Sequence, residues 1–294
     1  MNRIKHLLFA ALAAIAVPVI ALGQTQAQPA APRQDNLKEN GIGLAPARFE
    51  LLMLPGTEKT VIVNIIYNAG TTDAKPVRLV ATLGDWTILA NGEMDYQRAG
   101  ARADSAAPWM IHSPSEVTAV PGKVHPVRVT ISVPKDAKPG DHLAALFVES
   151  RPDNIKLDQQ QRQVVLRFRL AALFYIMVPQ LTREGSLQDL KAKADEHGLI
   201  ITPTIKNGGN SHIRPVHSIK VIDSKGAIVA EYPECESLPV LGGVELSRPI
   251  LIENNLPPGN YAVHYRVDFK DGGRIVEGQT DLIVENQIAQ KKQH

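Results

Sequence analysis

The sequence predicts an all-β protein made of two immunoglobulin-like β-sandwiches in tandem. Short runs of β-branched and apolar residues, each of strand length, follow one another from residue 43 and are separated by Pro-Gly and Asn-Gly turns. No helical period of useful length appears before residue 180. The same succession of strand, Asn-x-Gly turn, strand and Pro-Gly turn occurs twice, which is typical of two related sandwiches of about 100 residues each.

The N-terminal residues predict a secretory signal peptide. Arg3 and Lys5 precede an apolar run, Leu7–Leu22, which ends in small residues. We expect residues 1–23 to be removed, with cleavage after Ala27 as the alternative, and the mature chain to be exported to the periplasm. A membrane anchor is less favoured, because the run is shorter than the roughly 20 residues of a spanning helix and contains a proline. Residues 24–42 are rich in Gln, Pro and Ala, and they predict a disordered tether.

Charge and cysteine content exclude several classes of protein. The chain has 32 Lys and Arg against 30 Asp and Glu, and the two totals are equal once Arg3 and Lys5 are removed. A nucleic-acid-binding protein would usually carry a clear basic excess, so we expect no such partner. Cys235 is the only cysteine, so no intramolecular disulfide can form. The sequence favours a lone thiol there and leaves an intermolecular bridge as the alternative.

The first half, residues 43–179, has regularly spaced strands. Pro55-Gly56, Asn91-Gly92, Pro121-Gly122 and Pro139-Gly140 mark its turns. Its predicted strands are Thr60–Tyr67, Val77–Thr82, Val127–Val133, Leu143–Glu149 and Gln163–Tyr175.

The second half, residues 180–290, resumes the same pattern with Asn207 and Gly209 in the places of Asn68 and Gly70. Leu187–Glu196 (LQDLKAKADE) is the one stretch that favours a turn or two of helix. FKDGGR, at residues 269–274, predicts a hairpin turn. The predicted strands are Gly198–Ile205, Val216–Asp223, Pro249–Glu253, Tyr261–Phe269 and Thr280–Glu285.

The stretch QVVLRFRLAALFY, at residues 163–175, contains a strict alternation of residue types. Leu166, Phe168 and Leu170 share one face of a strand, and Arg167 and Arg169 share the other. An ordinary half-buried sandwich strand has this pattern. So does an edge strand that offers apolar side chains to a partner, since such edges take up added strands. The arginines are alternatively a device that protects the edge, and periodicity leaves these interpretations open.

An ordered succession of short segments resembles one family. The segments are Ala47-Arg48-Phe49, Pro55-Gly56, the strand ending in Asn68, Trp109–Pro114, Val120–Gly122, Val127–Val129, Leu143–Val148 and Leu166–Tyr175. In this order they resemble the N-terminal domain of the periplasmic pilus-assembly chaperones, the donor-strand chaperones of the chaperone–usher pathway. The resemblance covers roughly residues 43–180 and is weaker in the second half.

The resemblance implies a role and a set of residues. Chaperones of that family lend alternate apolar residues of a donor strand to a pilin-like subunit that lacks its last strand. Leu166, Phe168 and Leu170 match the donated side chains. Arg48 matches the first of two basic residues that hold the subunit's terminal carboxylate. The second, a lysine in the family, is replaced by Ala172, and Arg169 is the nearest basic residue, which would need a bulge to reach the same cleft.

Two functional hypotheses follow, and neither is enzymatic. The first is a periplasmic chaperone for pilin-like subunits, with an outer-membrane usher left open as a second partner. The second is an exported structural or adhesive protein that binds a cell-wall polymer or an envelope protein. We expect no catalytic residue, cofactor or metal, because the hydrolase, phosphate-binding and zinc-protease motifs are absent from the sequence. His212 and His217, the closest histidine pair, should lie on opposite strand faces without further ligands.

Overall fold

The computed structural model describes residues 41–68, 74–151, 167–273 and 275–285. These residues belong to one compact unit. They form eighteen β-strands and a short 3₁₀ turn at Ala107–Trp109. The predicted signal peptide, residues 1–23, lies outside the described residues. The tether prediction was wrong at its end, because β1 begins at Gly41 and pairs with β3.

Ten strands form the first sandwich. The strands are β1 Gly41–Ala45, β2 Arg48–Leu52, β3 Glu58–Asn68, β4 Val77–Ile88, β5 Met94–Arg98, β6 Met110–Ser113, β7 Glu116–Ala119, β8 Val124–Ser132, β9 Gly140–Ser150 and β10 Arg169–Val178. One sheet has the order β1-β3-β8-β6, and the other has the order β2-β10-β9-β4-β5 with β7 also paired to β4. The chain therefore passes from one sheet to the other between β1 and β2.

Eight strands form the second sandwich. The strands are β11 Gly185–Asp195, β12 Gly198–Asn207, β13 Val216–Asp223, β14 Ile228–Glu236, β15 Glu245–Ser247, β16 Ile250–Ile252, β17 Gly259–Asp268 and β18 Val276–Val284. One sheet places β12 between β11 and the short strands β15 and β16. The other has the order β14-β13-β17-β18.

Two apolar cores hold these sheets together. The first lies between the two sheets of the first sandwich and includes the buried side chains of Val148, Phe174 and Ile176. The second fills the second sandwich and continues onto the outer face of the six-stranded sheet, where it includes Trp86 and Tyr175. The two sandwiches therefore share apolar contacts as well as a chain connection, which fixes the junction between them.

The predicted fold class is confirmed. All the predicted strands overlap observed ones, and β17 and β18 form the hairpin expected around FKDGGR. The helical interpretation of Leu187–Glu196 was wrong. β11 covers this stretch up to Asp195 and pairs with β12, with a register shift between Leu187 and Asp189. The domain limits 43–179 and 180–290 stay a prediction, although no described strand pairing joins residues before 179 to residues after it.

Candidate functional site

β10 is covered by neighbouring strands over only half its length on one side. Along its whole length it pairs antiparallel with β9, from Arg169 opposite Glu149 to Val178 opposite Gly140. On its other side β2 pairs with it in parallel, but only at residues 173–177. No described strand pairs with residues 169–172 on that side. The N-terminal half of β10 is therefore an edge strand and its C-terminal half is an inner strand.

The direction of the backbone groups shows which of them face this open edge. The Leu173 N–H donates to the Ala47 carbonyl, at 2.9 Å, on the β2 side. The Phe168 carbonyl accepts from the Ser150 N–H, at 3.1 Å, on the β9 side. Since these directions alternate along a strand, the N–H and C=O groups of Arg169 and Ala171 point to the open edge. These free N–H and C=O groups lie next to the segment of β10 that pairs with β2, and they face the same side of the strand.

The apolar side chains of this half-strand face the interior of the first sandwich. Leu170 lies opposite Val148, a buried residue of the first core, and directly opposed residues share a face. Phe168 lies two residues earlier and remains 37% exposed. Leu166, the third residue predicted for this face, lies outside the described residues. Leu170 and Phe168 thus lie on the core-facing side of the open half of β10, and their binding role stays a prediction.

Arg169 lies on the opposite face of β10 and is held by neighbouring side chains. Its guanidinium lies over the Phe147 ring, 5.0 Å from the centroid, and its Nε donates to Glu149 Oε1. Arg169 and Arg48 share a face without a bulge, and the role of Arg169 in subunit binding stays a prediction. Arg48 lies opposite Leu173, an odd-numbered residue, so regular alternation already gives both arginines the same face. Leu173 lies four positions after Arg169, about 13 Å along the strand, and the two guanidinium groups pair with different carboxylates, Glu149 and Glu50.

A second guanidinium approaches Arg48 from the other sandwich. Glu50 Oε1 accepts from Arg214, at 2.6 Å from Nη2 and 3.0 Å from Nε, and it lies 3.3 Å from the Arg48 Nε. Arg214 also lies over the Tyr175 ring, 5.5 Å from its centroid, and its Nη1 is 3.4 Å from Glu236. Glu50 is therefore a carboxylate shared by one arginine from each sandwich.

Ala172, the residue at the place of the family's lysine, does not face this cluster. Its side chain is fully buried in the first core, on the face opposite Arg48. A lysine there would enter the core of the first sandwich. The cation that shares Glu50 with Arg48 is Arg214, which lies after β12 and far from Arg48 in sequence.

Asp141 and His212 form the buried part of the same junction. The Asp141 carboxylate accepts from the Ser211 hydroxyl at 2.8 Å, from the His212 N–H at 2.6 Å and lies 2.7 Å from the His212 Nδ1. The other ring nitrogen of His212 lies 3.7 Å from Glu50. Both side chains are about 95% buried, with 6% and 4% exposed. Hydrogen bonds thus connect the start of β9 to the segment between β12 and β13.

The electrostatics favour charged carboxylates at the junction. Burial alone would raise the pKa of Glu50, but the charge of Arg214 and its hydrogen bonds outweigh burial and lower it. Burial also acts to raise the pKa of Asp141, but the hydrogen bonds from His212 and Ser211 outweigh burial and lower this pKa. Burial raises the pKa of Tyr175 to about 12, so its phenol stays neutral beside Arg214.

Asn207 explains why the segment after β12 takes this course. Its side-chain oxygen accepts from the Gly209 N–H at 3.0 Å and from the Glu184 N–H at 3.2 Å. Its amide donates to the carbonyls of Ser211 and Val240, at 2.8 and 3.0 Å. The Asn-x-Gly element noted in the sequence, whose Asn207 side chain is fully buried, therefore shapes the loop that presents Ser211 and His212 to Asp141.

Sequence reasoning did not find Glu50, Asp141 or Arg214. Their positions carry no shared motif, and only the packing of the two sandwiches brings them together. His212 and His217 do not meet: His212 contacts Asp141, and His217 contacts Cys235 and Tyr265. Among the described residues no group of three His, Cys, Asp or Glu side chains is placed to hold a metal ion. None of the helical turns in the described part of the chain is long and apolar enough to cross a membrane.

Comparisons with known proteins give matches at the level of structure only. The sequence matches no protein-family model. A search of the curated proteins likewise gives no match. Many similar solved structures are chaperones of pilus assembly.

Three of these structures illustrate the similarity. A chain of the chaperone–tip adhesin complex of CFA/I fimbriae biogenesis is 11% identical, with a TM-score of 0.43, over 82% of this chain and 98% of that one. The complex of the archaic Csu pili of Acinetobacter baumannii gives 11% identity and a TM-score of 0.41, over 82% and 98%. The CupB2 chaperone of Pseudomonas aeruginosa is 13% identical, with a TM-score of 0.36, over 80% of this chain and 97% of that one.

Proposed function

We propose that the protein is a chaperone that binds an incomplete β-sandwich subunit by pairing the subunit with the open half of β10. The observation that carries this proposal is that β2 covers only residues 173–177 of a strand that β9 pairs from Arg169 to Val178. An uncovered half-edge beside an apolar core offers both backbone hydrogen bonds and side-chain contacts to an added strand. The sequence resemblance to donor-strand chaperones supports the same role, with a pilin-like subunit as partner and the periplasm as its place of action.

The chemistry of the edge is sufficient for a specific but modest interaction. Arg169 and Ala171 each present one N–H and one C=O, and each net hydrogen bond is worth about 1 kcal/mol. Full burial of Leu170 and Phe168 adds at most about 1.5–3 kcal/mol for each side chain, and less for Leu170, which is already half-buried. Two side chains of period two also fix the register, because a shift of one residue would present Arg169 instead.

Photo-crosslinking tests this proposal directly. A photoreactive phenylalanine analogue at Phe168 should crosslink the exported full-length chain to a small β-rich subunit in living cells. The same analogue at Ile283, an apolar strand residue of the second sandwich that is 66% exposed, is the matched control and should not. The adducts are identified by mass spectrometry.

Polar variants then separate donor-strand pairing from simple proximity. Leu170→Asp combined with Phe168→Asp should abolish capture of the crosslinked species, while Ile283→Asp should capture it as the wild type does. Circular dichroism shows that each variant is folded. If the folded double variant retains the species, the edge is only part of the sandwich, and binding of a cell-wall polymer or an envelope protein through other surfaces becomes the better hypothesis.

A further inference from the structure

A cavity of about 310 Å³ opens into the second sandwich, away from the open half of β10. One lining residue, Glu236, also contacts Arg214 of the junction. It lies where the two sheets separate, between β14 of one sheet and β15 and β16 of the other. Apolar side chains, among them Ile205, Leu238 and Leu246, form part of its lining. A volume of this size lies at the lower end of the range of small-molecule sites. The proposed chaperone role does not use it.

Nucleophilic and hydrogen-bonding groups converge on one side of this cavity. The Cys235 sulfur lies 3.6 Å from the His217 Nε2 and 3.5 Å from the Tyr232 hydroxyl. His217 is 94% buried, with 6% exposed, and the Tyr265 hydroxyl lies 3.2 Å from its Nδ1. Burial lowers the pKa of His217, so the imidazole is neutral at pH 7. When Tyr265 donates to Nδ1, the Nε2–H is the donor that faces the sulfur.

A β-bulge produces this convergence. His217 pairs with Cys235 and Ile219 pairs with Tyr232, so β14 contains one more residue than β13 across this interval. In a regular strand Tyr232 and Cys235, three residues apart, would point to opposite faces. The extra residue turns both side chains towards the cavity, as bulges do where a side chain is redirected.

Two opposite charges also line the cavity. Arg248 follows β15 and forms no ion pair among the residues that the structure describes. Glu236 follows Cys235 directly, and its side chain is 52% exposed, with Arg214 at 3.4 Å as its ion-pair partner. The cavity therefore combines a thiol with one cation and one anion, a set that fits a small zwitterion.

We propose that this cavity is a thiolation site for the disulfide of a small α-amino acid, with cystine as the simplest ligand. The carboxylate of the bound half-molecule pairs with Arg248 and its ammonium with Glu236. The N-terminal segment predicts export, which would place the thiol in a compartment where disulfides persist. Cys235 is the only cysteine of the chain, so no internal thiol competes for the adduct.

The reaction is a balanced thiol–disulfide exchange. The Cys235 thiol loses its proton to solvent, and the His217 Nε2–H faces the sulfur as a hydrogen-bond donor. The thiolate attacks one sulfur of cystine, a bond forms between the two sulfurs, and the cystine disulfide breaks. One cysteine leaves as a thiolate and takes a proton from solvent. Cystine is the oxidant, and the product is a mixed disulfide at Cys235.

Intact mass spectrometry of the full chain tests the proposal with three symmetrical disulfides. Cystine carries both charges, cystamine lacks the carboxylate, and dithiodipropionate lacks the ammonium. For each disulfide, the rate at which the folded protein forms the mixed disulfide is divided by the rate for the same protein unfolded in urea. This ratio removes the intrinsic reactivity of each reagent. We expect the ratio to be highest for cystine. Arg248→Gln should lower the cystine rate about fivefold, the effect of a partly exposed ion pair, and leave the cystamine rate unchanged.

The outcomes are unambiguous because the chain has one thiol. Circular dichroism shows that Arg248→Gln is folded. Glu236→Gln is a further variant, which should slow the reactions with cystine and cystamine but not the reaction with dithiodipropionate. Equal ratios for the three disulfides overturn the proposal. So does a native protein that forms no adduct, or one that oxidises to a disulfide-linked dimer in preference to the mixed disulfide.

Discussion

Removal of the Asp141 carboxylate should weaken the junction between the sandwiches more than any exposed ion pair does. Asp141→Ala removes the acceptor shared by the Ser211 hydroxyl and by two nitrogens of His212, at 2.6 to 2.8 Å. His212 and Ser211 are themselves buried, so water cannot easily replace the lost acceptor. Breaking a buried charged interaction on one side costs about 3–5 kcal/mol, and we expect a loss of unfolding free energy in that range.

Urea unfolding measures this loss with two probes. Trp109 packs against the first core and Trp86 lies in the second core at the junction, so tryptophan fluorescence reports the first sandwich and the junction, whereas far-ultraviolet circular dichroism reports both sandwiches. Asp141→Ala should lower the urea midpoint by both probes. Asp189→Ala is the control, since Asp189 pairs with Lys191 at 3.1 Å on an exposed surface. If Asp141→Ala lowers the midpoint no more than this control does, the carboxylate does not stabilise the junction and our reasoning is wrong.

Two further predictions concern the same cluster. The pKa values of Glu50 and Asp141 are lowered in the folded protein, so their stabilising contribution is complete above the unfolded carboxyl pKa of about 4 and is lost as the pH falls through the lower folded values. The unfolding free energy of the wild type, measured from pH 7 to pH 3, should therefore decline below about pH 4. The unfolding free energy of Asp141→Asn should decline less, and an equal decline would show that Asp141 does not contribute to the pH dependence. Arg214→Lys, which loses the two-nitrogen contact with Glu50 and the position over an aromatic ring, should cost about 1–2 kcal/mol in urea unfolding. Arg48→Lys should cost less, because the Arg48 side chain is 53% exposed, and the reverse order would refute the argument.

Local pattern predicted most of the fold. Thr60–Tyr67 and Val127–Val133 are β-branched, of strand length and bounded by turns, and both proved to be strands. Leu187–Glu196 misled because Leu, Lys, Ala and Glu favour helices in isolation, and tertiary pairing with β12 overrode that propensity. β14 was missed because Pro233 and its polar neighbours interrupt the alternation, and the same interruption is the bulge that redirects Cys235.

The candidate site was predictable only in its local part. The alternation of side chains along a strand predicted that Phe168 and Leu170 share a face, because side-chain direction within one strand depends on residue spacing alone. The extent of β2, and therefore the open half of β10, depends on where the chain passes from one sheet to the other. Glu50, Asp141 and Arg214 come from segments that only the packing of two sandwiches brings together. No spacing rule relates residues whose contact is set by a domain junction.

Amide hydrogen exchange at the N-terminal half of β10 tests the donor-strand proposal most directly. In the free protein the Ala171 N–H points to the open edge, whereas the Leu173 N–H donates to Ala47. We therefore predict that Ala171 exchanges at least about 100-fold faster than Leu173 in the free protein and becomes protected in the purified complex with the captured subunit. An Ala171 amide that is already protected in the free protein, or that stays unprotected in the complex, would contradict strand pairing at this edge.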